Sequence, residues 1–300
     1  MQNRRIFLKT TGALVGCLAC SVPAMAEEKI MKRAIPSSGE KLPVVGLGTW
    51  QSFDVGENAS NIDQLKEVLT LLISKGGSVV DSSPMYGNSE NIVGRLSTEL
   101  DLSDKLFMAT KVWTSGKQSG VDQMNRSMDL MAKRPMDLMQ IHNLQDWDTH
   151  LKTMQEWKEE GIIRYTGITH YTAGNFPKME KIMKAHPIDF IQLNYSIGDR
   201  AAEKSILPLA KEKGIAVLVN RPYQGGSLFR RTRGKELPRW AADLGINSWG
   251  QYFLKYILAN EAVTCVIPGT DKPHHMLDNL GAGLGRLPSE KEQKMMVEAL

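Results

Sequence analysis

Short apolar runs recur along the chain, and a longer segment with apolar positions at helical spacing follows each of them. Because the runs do not alternate with polar positions, they predict strands that are buried on both faces. The predicted strands are Val44–Leu47, Ser78–Asp81, Leu106–Thr110, Met136–Ile141, Tyr165–Thr169, Phe190–Leu193, Ala216–Asn220 and Val263–Ile267. The predicted helices are Ile62–Lys75, Ser89–Leu100, Val121–Ala132, His150–Glu160, Asn175–Lys184, Glu203–Lys213, Ser248–Asn260 and Lys272–Leu280.

This repeated alternation of strand and helix predicts an α/β fold, the closed parallel (β/α)8 TIM barrel. The alternative is a doubly wound open sheet, which places a Gly-x-Gly-x-x-Gly turn after its first strand. The corresponding segment here, Gly46-Leu47-Gly48-Thr49-Trp50, lacks the third glycine and opens no predicted helix. We therefore predict one barrel domain over residues 27–300.

Three further segments complete the predicted domain. Lys32–Ile35 and Leu42–Val45 predict an N-terminal β-hairpin. Ser289–Leu300 predicts a final helix. Two loops, Gln51–Asn61 and Arg221–Leu237, are long enough to act as lids over a site.

Residues 1–26 precede the predicted domain. The pair Arg4-Arg5, a short apolar run and the small-residue pattern Ala24-Met25-Ala26 resemble a twin-arginine export signal. The apolar run is too short to cross a bilayer. An amphipathic cytoplasmic tail is one alternative, and a lipoprotein processing box at Leu14–Cys17, which would leave Cys17 acylated, is another. The favoured interpretation predicts an exported, periplasmic protein that engages the twin-arginine export machinery.

Removal of this segment changes the charge balance. It takes away Arg4, Arg5 and Lys9 from a total of 37 basic side chains, against 33 acidic ones, so the remaining domain is close to neutral. A near-neutral domain gives no reason to expect nucleic acid or an anionic membrane as a partner. Cys265 is the only cysteine left, which excludes a disulfide framework, and its apolar neighbours predict a buried side chain.

Four chemically active side chains lie at or just beyond the ends of three consecutive predicted strands. They are Asp81, Tyr86, Lys111 and His142. The residues that follow barrel strands face one shared pocket. A phenol near an ammonium has a lowered pKa, and a carboxylate beside the ammonium keeps it charged. We therefore expect Tyr86 to act as a general acid on a carbonyl oxygen that His142 orients.

Each of these residues also has a structural explanation when it is taken alone. Asp81 could cap the next turn, Lys111 could be a solvated strand end, and His142 could be a hydrogen-bonded histidine at the barrel rim. Their common position at strand ends favours a shared catalytic site.

Four motifs in order along the chain resemble the aldo-keto reductase superfamily. They are Val80–Glu90 (Val-Asp-Ser-Ser-Pro-Met-Tyr-Gly-Asn-Ser-Glu), Ala109–Trp113, Asp137–Asn143 and Ile267–Thr270. The resemblance extends from Val44 to Asn279. It implies a TIM barrel that binds NADP(H) and transfers a hydride to a carbonyl carbon, with the four residues above as the catalytic set. It also implies that Trp50 and Trp113 line the substrate pocket.

The resemblance further implies a set of cofactor-binding residues. They are Gly48, Thr49, Trp50, Thr169, His170, Gln192, Asn220, Arg221, Pro222, Tyr223, Pro268, Gly269, Thr270, His275, Asp278 and Asn279. Four of them depart from the family pattern: His170 replaces an asparagine, Asn220 a stacking tyrosine, Gly269 a lysine and His275 an arginine. Loss of two cations near the adenosine phosphate weakens the preference for NADP over NAD, so NADP is the favoured cofactor and NAD remains possible.

The sequence contains two other clusters of basic or imidazole side chains. Adjacent residues on a helix do not face the same way, so the pair His274-His275 does not predict a metal site. The run Arg230–Arg233 is either a solvated loop or a group that reaches the cofactor diphosphate.

The sequence therefore predicts an exported carbonyl reductase that acts on small aldehydes or ketones. The alternative is a nicotinamide-nucleotide-binding redox sensor or subunit on the same barrel, with little or no catalysis. A glycoside-cleaving barrel is a third, weaker hypothesis, because that chemistry needs a second carboxylate opposite Asp81.

Overall fold

A computed structural model describes residues 29–300 of the protein. The export signal and the alternatives predicted for residues 1–26 lie outside the described residues. Within the described part, the helices and strands alternate along the chain as predicted.

The strands are β1 (Lys32–Ala34), β2 (Lys41–Pro43), β3 (Leu47–Gly48), β4 (Val79–Asp81), β5 (Phe107–Val112), β6 (Met136–His142), β7 (Ile163–His170), β8 (Phe190–Asn194), β9 (Ala216–Asn220) and β10 (Cys265–Val266). The helices are α1 (Ile62–Ser74), α2 (Ser89–Glu99), α3 (Lys117–Leu130), α4 (Trp147–Glu159), α5 (Phe176–Ala185), α6 (Ile206–Lys213), α7 (Ser227–Arg231), α8 (Trp249–Leu258), α9 (Pro273–Gly281) and α10 (Glu290–Glu298). Short 3-10 helices cover Ala173–Asn175, Ala201–Lys204, Gln224–Gly226 and Arg239–Leu244.

Strands β3 to β10 form one parallel sheet in sequence order. The sheet closes on itself through two parallel bridges, Val45 with Val266 and Gly48 with Gly269. The prediction of a (β/α)8 barrel is therefore confirmed. All eight strands end at the same rim, so side chains that follow different strands meet there.

The barrel interior is filled by an apolar cluster. The N-terminal hairpin closes the barrel at the end opposite to the rim where the strands end. Ile35 and Leu42 of the hairpin pack with inward-facing barrel side chains such as Phe107 and Phe190. The Tyr165 hydroxyl donates to Glu40 on the hairpin at 2.7 Å. This plug leaves the carboxyl-end rim as the open mouth of the barrel.

Helix α1 buries one face against the outside of the barrel, whereas nearly all of α8 is buried. In α1 the buried positions are Leu65, Val68, Leu69 and Leu72, which is the spacing of one helical face. Cys265 is buried in the barrel interior, as predicted. No helix among residues 29–300 is long and apolar enough to span a bilayer.

The predicted boundaries differ most where the local signal is weak. The first barrel strand was predicted at Val44–Leu47, whereas the ladder begins at Leu47, because Val45 contributes only an isolated bridge. The predicted loop Arg221–Leu237 contains α7 and a 3-10 turn. These elements are too short to show an apolar periodicity in the sequence.

Candidate active site

The four predicted catalytic residues converge at the open rim. Asp81 and His142 are the last residues of β4 and β6, and Lys111 is the penultimate residue of β5. Tyr86 lies in the loop after β4. Asp81, Tyr86 and His142 line a cavity of about 670 Å³, and Lys111 is fully buried. A cavity of this volume is typical of a site for a cofactor or a small molecule.

The Lys111 ammonium has a fixed set of acceptors. Its Nζ donates to Asp81 Oδ2 at 2.7 Å and to the Ser82 carbonyl at 2.6 Å. An ammonium has three donors, so one N–H remains for the side facing Tyr86, whose ring centroid lies 5.0 Å from Nζ. Burial works against the charge, but Asp81 and Tyr86 outweigh it and raise the pKa of Lys111, which therefore stays protonated.

Asp81 accepts more bonds than the sequence suggested. Its Oδ1 accepts from Gln140 Nε2 at 3.0 Å and from Gln192 Nε2 at 2.8 Å. With the bond from Lys111, the carboxylate accepts from three side chains. These three bonds satisfy the carboxylate, although Asp81 is only 2 % exposed.

The net pKa shift of Tyr86 corrects one expectation. Burial raises the pKa of the Tyr86 phenol, and this effect exceeds the lowering by the nearby Lys111. Lys111 does lower the pKa of Tyr86, as expected, but the expected net direction of the pKa shift was wrong. The sequence does not show how deeply the phenol is buried. A raised pKa keeps Tyr86 protonated at neutral pH, which a proton donor requires.

His142 is neutral. Burial lowers the pKa of its imidazole to about 3, and the charge of Lys111 acts in the same direction. The ring stands edge-on to Tyr86, with the ring centroids 5.7 Å apart. A neutral imidazole can donate one hydrogen bond to an oxygen in the cavity without bringing a charge to it.

The cavity rim is aromatic on two sides. Trp50 and Trp113, the predicted substrate residues, line the cavity and are 49 % and 41 % exposed. Trp113 lies against His142, with ring centroids 6.4 Å apart. The sequence interpretation missed seven other lining residues, which are Gln51, Met85, Asn143, Tyr171, Gly225, Gly226 and Ile267. Five of them directly adjoin predicted site residues, and the two glycines lie in the predicted loop Arg221–Leu237, so proximity along the chain was the available signal.

Ten of the predicted cofactor residues line the same cavity. They are Gly48, Thr49, Trp50, Thr169, Gln192, Asn220, Arg221, Pro222, Tyr223 and Gly269. Gln192 Oε1 accepts from Thr169 Oγ1 at 3.4 Å and from Asn220 Nδ2 at 3.3 Å. These side chains form one polar network that reaches Asp81 through Gln192.

The other six lie outside the cavity lining. Asp278 accepts from Ser248 Oγ at 2.7 Å and from Gln251 Nε2 at 2.9 Å, which braces the start of α8. Asn279 Oδ1 accepts from the Tyr223 hydroxyl at 2.5 Å. The remaining four are His170 at the end of β7, Pro268 and Thr270 after β10, and His275 on α9.

Two buried residues that touch the catalytic set were also missed. Gln140 lies two residues before His142 on the same strand, so both project from the same face. Ser83 lies in the Asp81 loop and contacts His142. The strand period could have identified Gln140, whereas the Ser83 contact joins segments that the sequence does not relate.

The fold and the site together define a barrel enzyme with a buried ammonium–carboxylate pair, a protonated phenol and a neutral imidazole at one rim. The family model of the aldo/keto reductase family matches residues 44–298. The chain therefore belongs to the aldo/keto reductase family of oxidoreductases.

Known relatives share this fold at modest sequence identity. The chain is 25% identical over 201 residues to aldo-keto reductase YhdN of Bacillus subtilis, a match over 62% of this chain and 60% of that protein. It is 24% identical over 245 residues to methylglyoxal reductase YeaE of Escherichia coli, covering 79% of this chain and 84% of the relative. A crystal structure of an aldo-keto reductase from Klebsiella pneumoniae in complex with NADPH superimposes with a TM-score of 0.74 at 21% identity, over 91% of this chain and 95% of the other.

Proposed function

We propose that this protein is an exported, NADP(H)-dependent carbonyl reductase for small aldehydes or ketones, with Tyr86 as the general acid. The observation that carries the proposal is the arrangement of Lys111 and Asp81. A buried ammonium beside a carboxylate lies behind a protonated phenol at the wall of an open cavity. Such a group is suited to give a proton to an oxygen as negative charge develops on it.

Each residue has one role in this chemistry. The Tyr86 hydroxyl gives its proton to the carbonyl oxygen. The Lys111 ammonium stabilises the phenolate that remains, and Asp81 keeps the ammonium charged. His142 donates a hydrogen bond that orients the carbonyl oxygen. Bound NADPH supplies the hydride that the carbonyl carbon receives.

The cavity residues fit the carboxamide of a nicotinamide. Asn220 Oδ1 is buried and has no hydrogen-bond partner among residues 29–300, so an acceptor is available for an amide N–H. The two bonds that reach Gln192 Oε1 are long, at 3.4 Å from Thr169 and 3.3 Å from Asn220. Hydrogen bonds to a bound carboxamide can replace these two bonds at shorter distances. Asn220 provides this polar contact in place of an aromatic platform.

Two guanidinium groups support binding of the cofactor phosphates. A methyl group at Gly225 would lie 3.9 Å from Arg221 Nη2, and one at Gly226 would lie 3.7 Å from Arg230 Nη1. Both glycines line the cavity. We therefore propose that Arg221 and Arg230 bind the diphosphate of the cofactor, because one guanidinium group can donate two parallel hydrogen bonds to phosphate oxygens.

The relatives are consistent with this cofactor and substrate class. The Klebsiella pneumoniae structure holds NADPH, and the Escherichia coli relative is named for the reduction of methylglyoxal, a small aldehyde. Export is proposed from the twin-arginine pattern at Arg4-Arg5, and a tightly held cofactor would travel with a protein that folds before export.

Titration of the purified protein with NADPH and with NADH, followed by a panel of aldehydes and ketones, tests the proposal. We expect tighter binding of NADPH and oxidation of the bound cofactor by at least one small carbonyl compound. Binding of NADPH without oxidation across the panel would favour the nucleotide-binding sensor instead. Absence of binding to both nucleotides would exclude both functions.

A further inference from the structure

Ser83 joins the Asp81 loop to His142. Its hydroxyl oxygen lies 2.9 Å from His142 Nδ1, and the Ser83 side chain is fully buried. The backbone N–H of Met85 donates to the same oxygen at 3.3 Å. Ser83 therefore has one incoming hydrogen bond and one contact to an imidazole nitrogen.

The positions of the hydrogens follow from this geometry. A serine hydroxyl has one hydrogen and needs an acceptor for it. Among residues 29–300, His142 Nδ1 is the acceptor within hydrogen-bond distance of Ser83 Oγ. If Nδ1 carried a proton of its own, the hydroxyl hydrogen would be buried without an acceptor, which is unfavourable.

We propose that Ser83 is a positioning residue that holds His142 in the tautomer with the proton on Nε2. The hydroxyl donates to Nδ1, so the cavity meets an N–H group and not a lone pair. His142 is neutral because burial lowers its pKa to about 3. The choice between the two neutral tautomers is therefore left to Ser83.

The catalytic consequence rests on the proposed carbonyl reduction. With the proton on Nε2, His142 donates a hydrogen bond to the carbonyl oxygen, and this bond strengthens as negative charge develops there. In the other tautomer, the Nε2 lone pair would face that oxygen and repel it. Ser83 touches neither the substrate nor the cofactor and acts through the ring alone.

Nitrogen NMR of protein labelled with ¹⁵N in its six histidines reads the tautomer directly. The His142 signals are assigned by their absence in His142→Gln. In the unmodified protein, near neutral pH, we expect a protonated-type signal for Nε2 and an unprotonated-type signal for Nδ1. Ser83→Ala should shift both signals toward averaged values, because neither tautomer is then favoured by a donor.

Two further variants keep the test decisive if Ser83→Ala is unstable. Ser83→Thr keeps the hydroxyl and should restore the Nε2–H signals, and Ser83→Cys offers a weaker donor and should give an intermediate result.

Ser97→Ala removes another fully buried serine hydroxyl, which bonds the Gly94 carbonyl on α2. It is the matched control and should leave the His142 signals unchanged.

Turnover should follow the tautomer. We expect Ser83→Ala to lower kcat for carbonyl reduction by about 10²-fold, near the low end of the loss of one oxyanion donor, with the Kd for NADPH unchanged. Ser83→Thr should recover most of this loss.

An Nδ1–H signal in the unmodified protein would overturn the proposal. So would Ser83→Ala signals identical to those of the unmodified protein. The spectra need no turnover, so they decide the role of Ser83 even if no carbonyl compound is reduced. In that case the proposed function fails separately.

Discussion

The two ends of the candidate cofactor site are built differently. At the end near β4 to β6, Asp81 accepts from Lys111, Gln140 and Gln192, so the charged groups are fixed before any ligand arrives. At the end near α9, Asp278 and Asn279 are bonded to residues of the protein itself. The first end uses its hydrogen bonds to hold reacting groups in place. The second end uses them to hold helices together.

This difference separates the residues proposed to act in catalysis from the residues proposed to bind the cofactor. Groups at strand ends are held by the barrel, and small displacements would cost much of their effect on a reaction. Asp278 and Asn279 instead hold α9 against α8 and Tyr223, beside the proposed cofactor site. We therefore expect substitutions at the first end to affect stability and catalysis strongly, and those at the second to affect affinity mildly.

The largest expected effect is that of Lys111→Met. It leaves the Asp81 carboxylate buried without its counter-ion, which should lower the free energy of unfolding by about 3–5 kcal/mol. Urea denaturation measures this loss. The paired change Lys111→Met with Asp81→Asn removes both charges and should be more stable than Lys111→Met alone. Equal stability of the single and the double variant would show that the ion pair is not the dominant interaction there.

The next effect concerns pH. The pKa of His142 is lowered from 6.5 to about 3 in the folded state. Below pH 6.5 the unfolded chain binds a proton that the folded protein does not bind, so stability falls as the pH decreases toward about 3. Between about pH 6.5 and about pH 5, the His142 imidazole alone should lower the free energy of unfolding by about 2 kcal/mol.

His142→Gln removes this contribution, so its stability should fall less over the same pH interval than that of the unmodified protein. His186→Gln, at a partly exposed histidine after α5, is the control for the loss of an imidazole as such. Parallel pH dependence of the unmodified protein and His142→Gln in urea denaturation would contradict the neutral, buried imidazole.

The smallest effect is expected at the α9 end. Ser248 is the N-cap of α8, accepts from the Gln251 N–H at 3.0 Å and donates to Asp278. Ser248→Ala should lower the free energy of unfolding by about 1 kcal/mol, the usual value of an N-cap. Because it also loosens the brace on Asp278, it should weaken NADPH binding by roughly 2- to 10-fold, the equivalent of about one hydrogen bond.

Ser289→Ala is the matched comparison, because Ser289 also accepts from a backbone N–H in the first turn of its helix, α10, and has no side-chain hydrogen bond to α9 among residues 29–300. It should cost a similar amount of stability and leave NADPH affinity unchanged. Equal effects of the two serine variants on affinity would mean that the α8–α9 brace does not contribute to the cofactor site.

The fold was predictable because its signal is local. Apolar runs and helical spacing identified every barrel strand, and the glycine after α6, Gly214, adopts the left-handed conformation typical of a helix end, with φ of 64°. The first strand was misplaced, because β3 pairs over only two residues and carries little pattern.

Part of the site was predictable for a different reason. Strand ends place Asp81, Lys111 and His142 at one rim once the barrel is accepted. The raised pKa of Tyr86 and the contact between Ser83 and His142 were not predictable, because burial and contacts between distant segments depend on packing in three dimensions.

Single-turnover oxidation of bound NADPH by a carbonyl compound, compared between the unmodified protein and Tyr86→Phe, tests the central claim most directly. Tyr165→Phe removes a tyrosine hydroxyl at the plugged end of the barrel and is the control. We expect Tyr86→Phe to bind NADPH normally and to oxidise it about 10²- to 10⁴-fold more slowly, while Tyr165→Phe keeps the original rate. An unchanged rate in Tyr86→Phe would contradict its role as the proton donor.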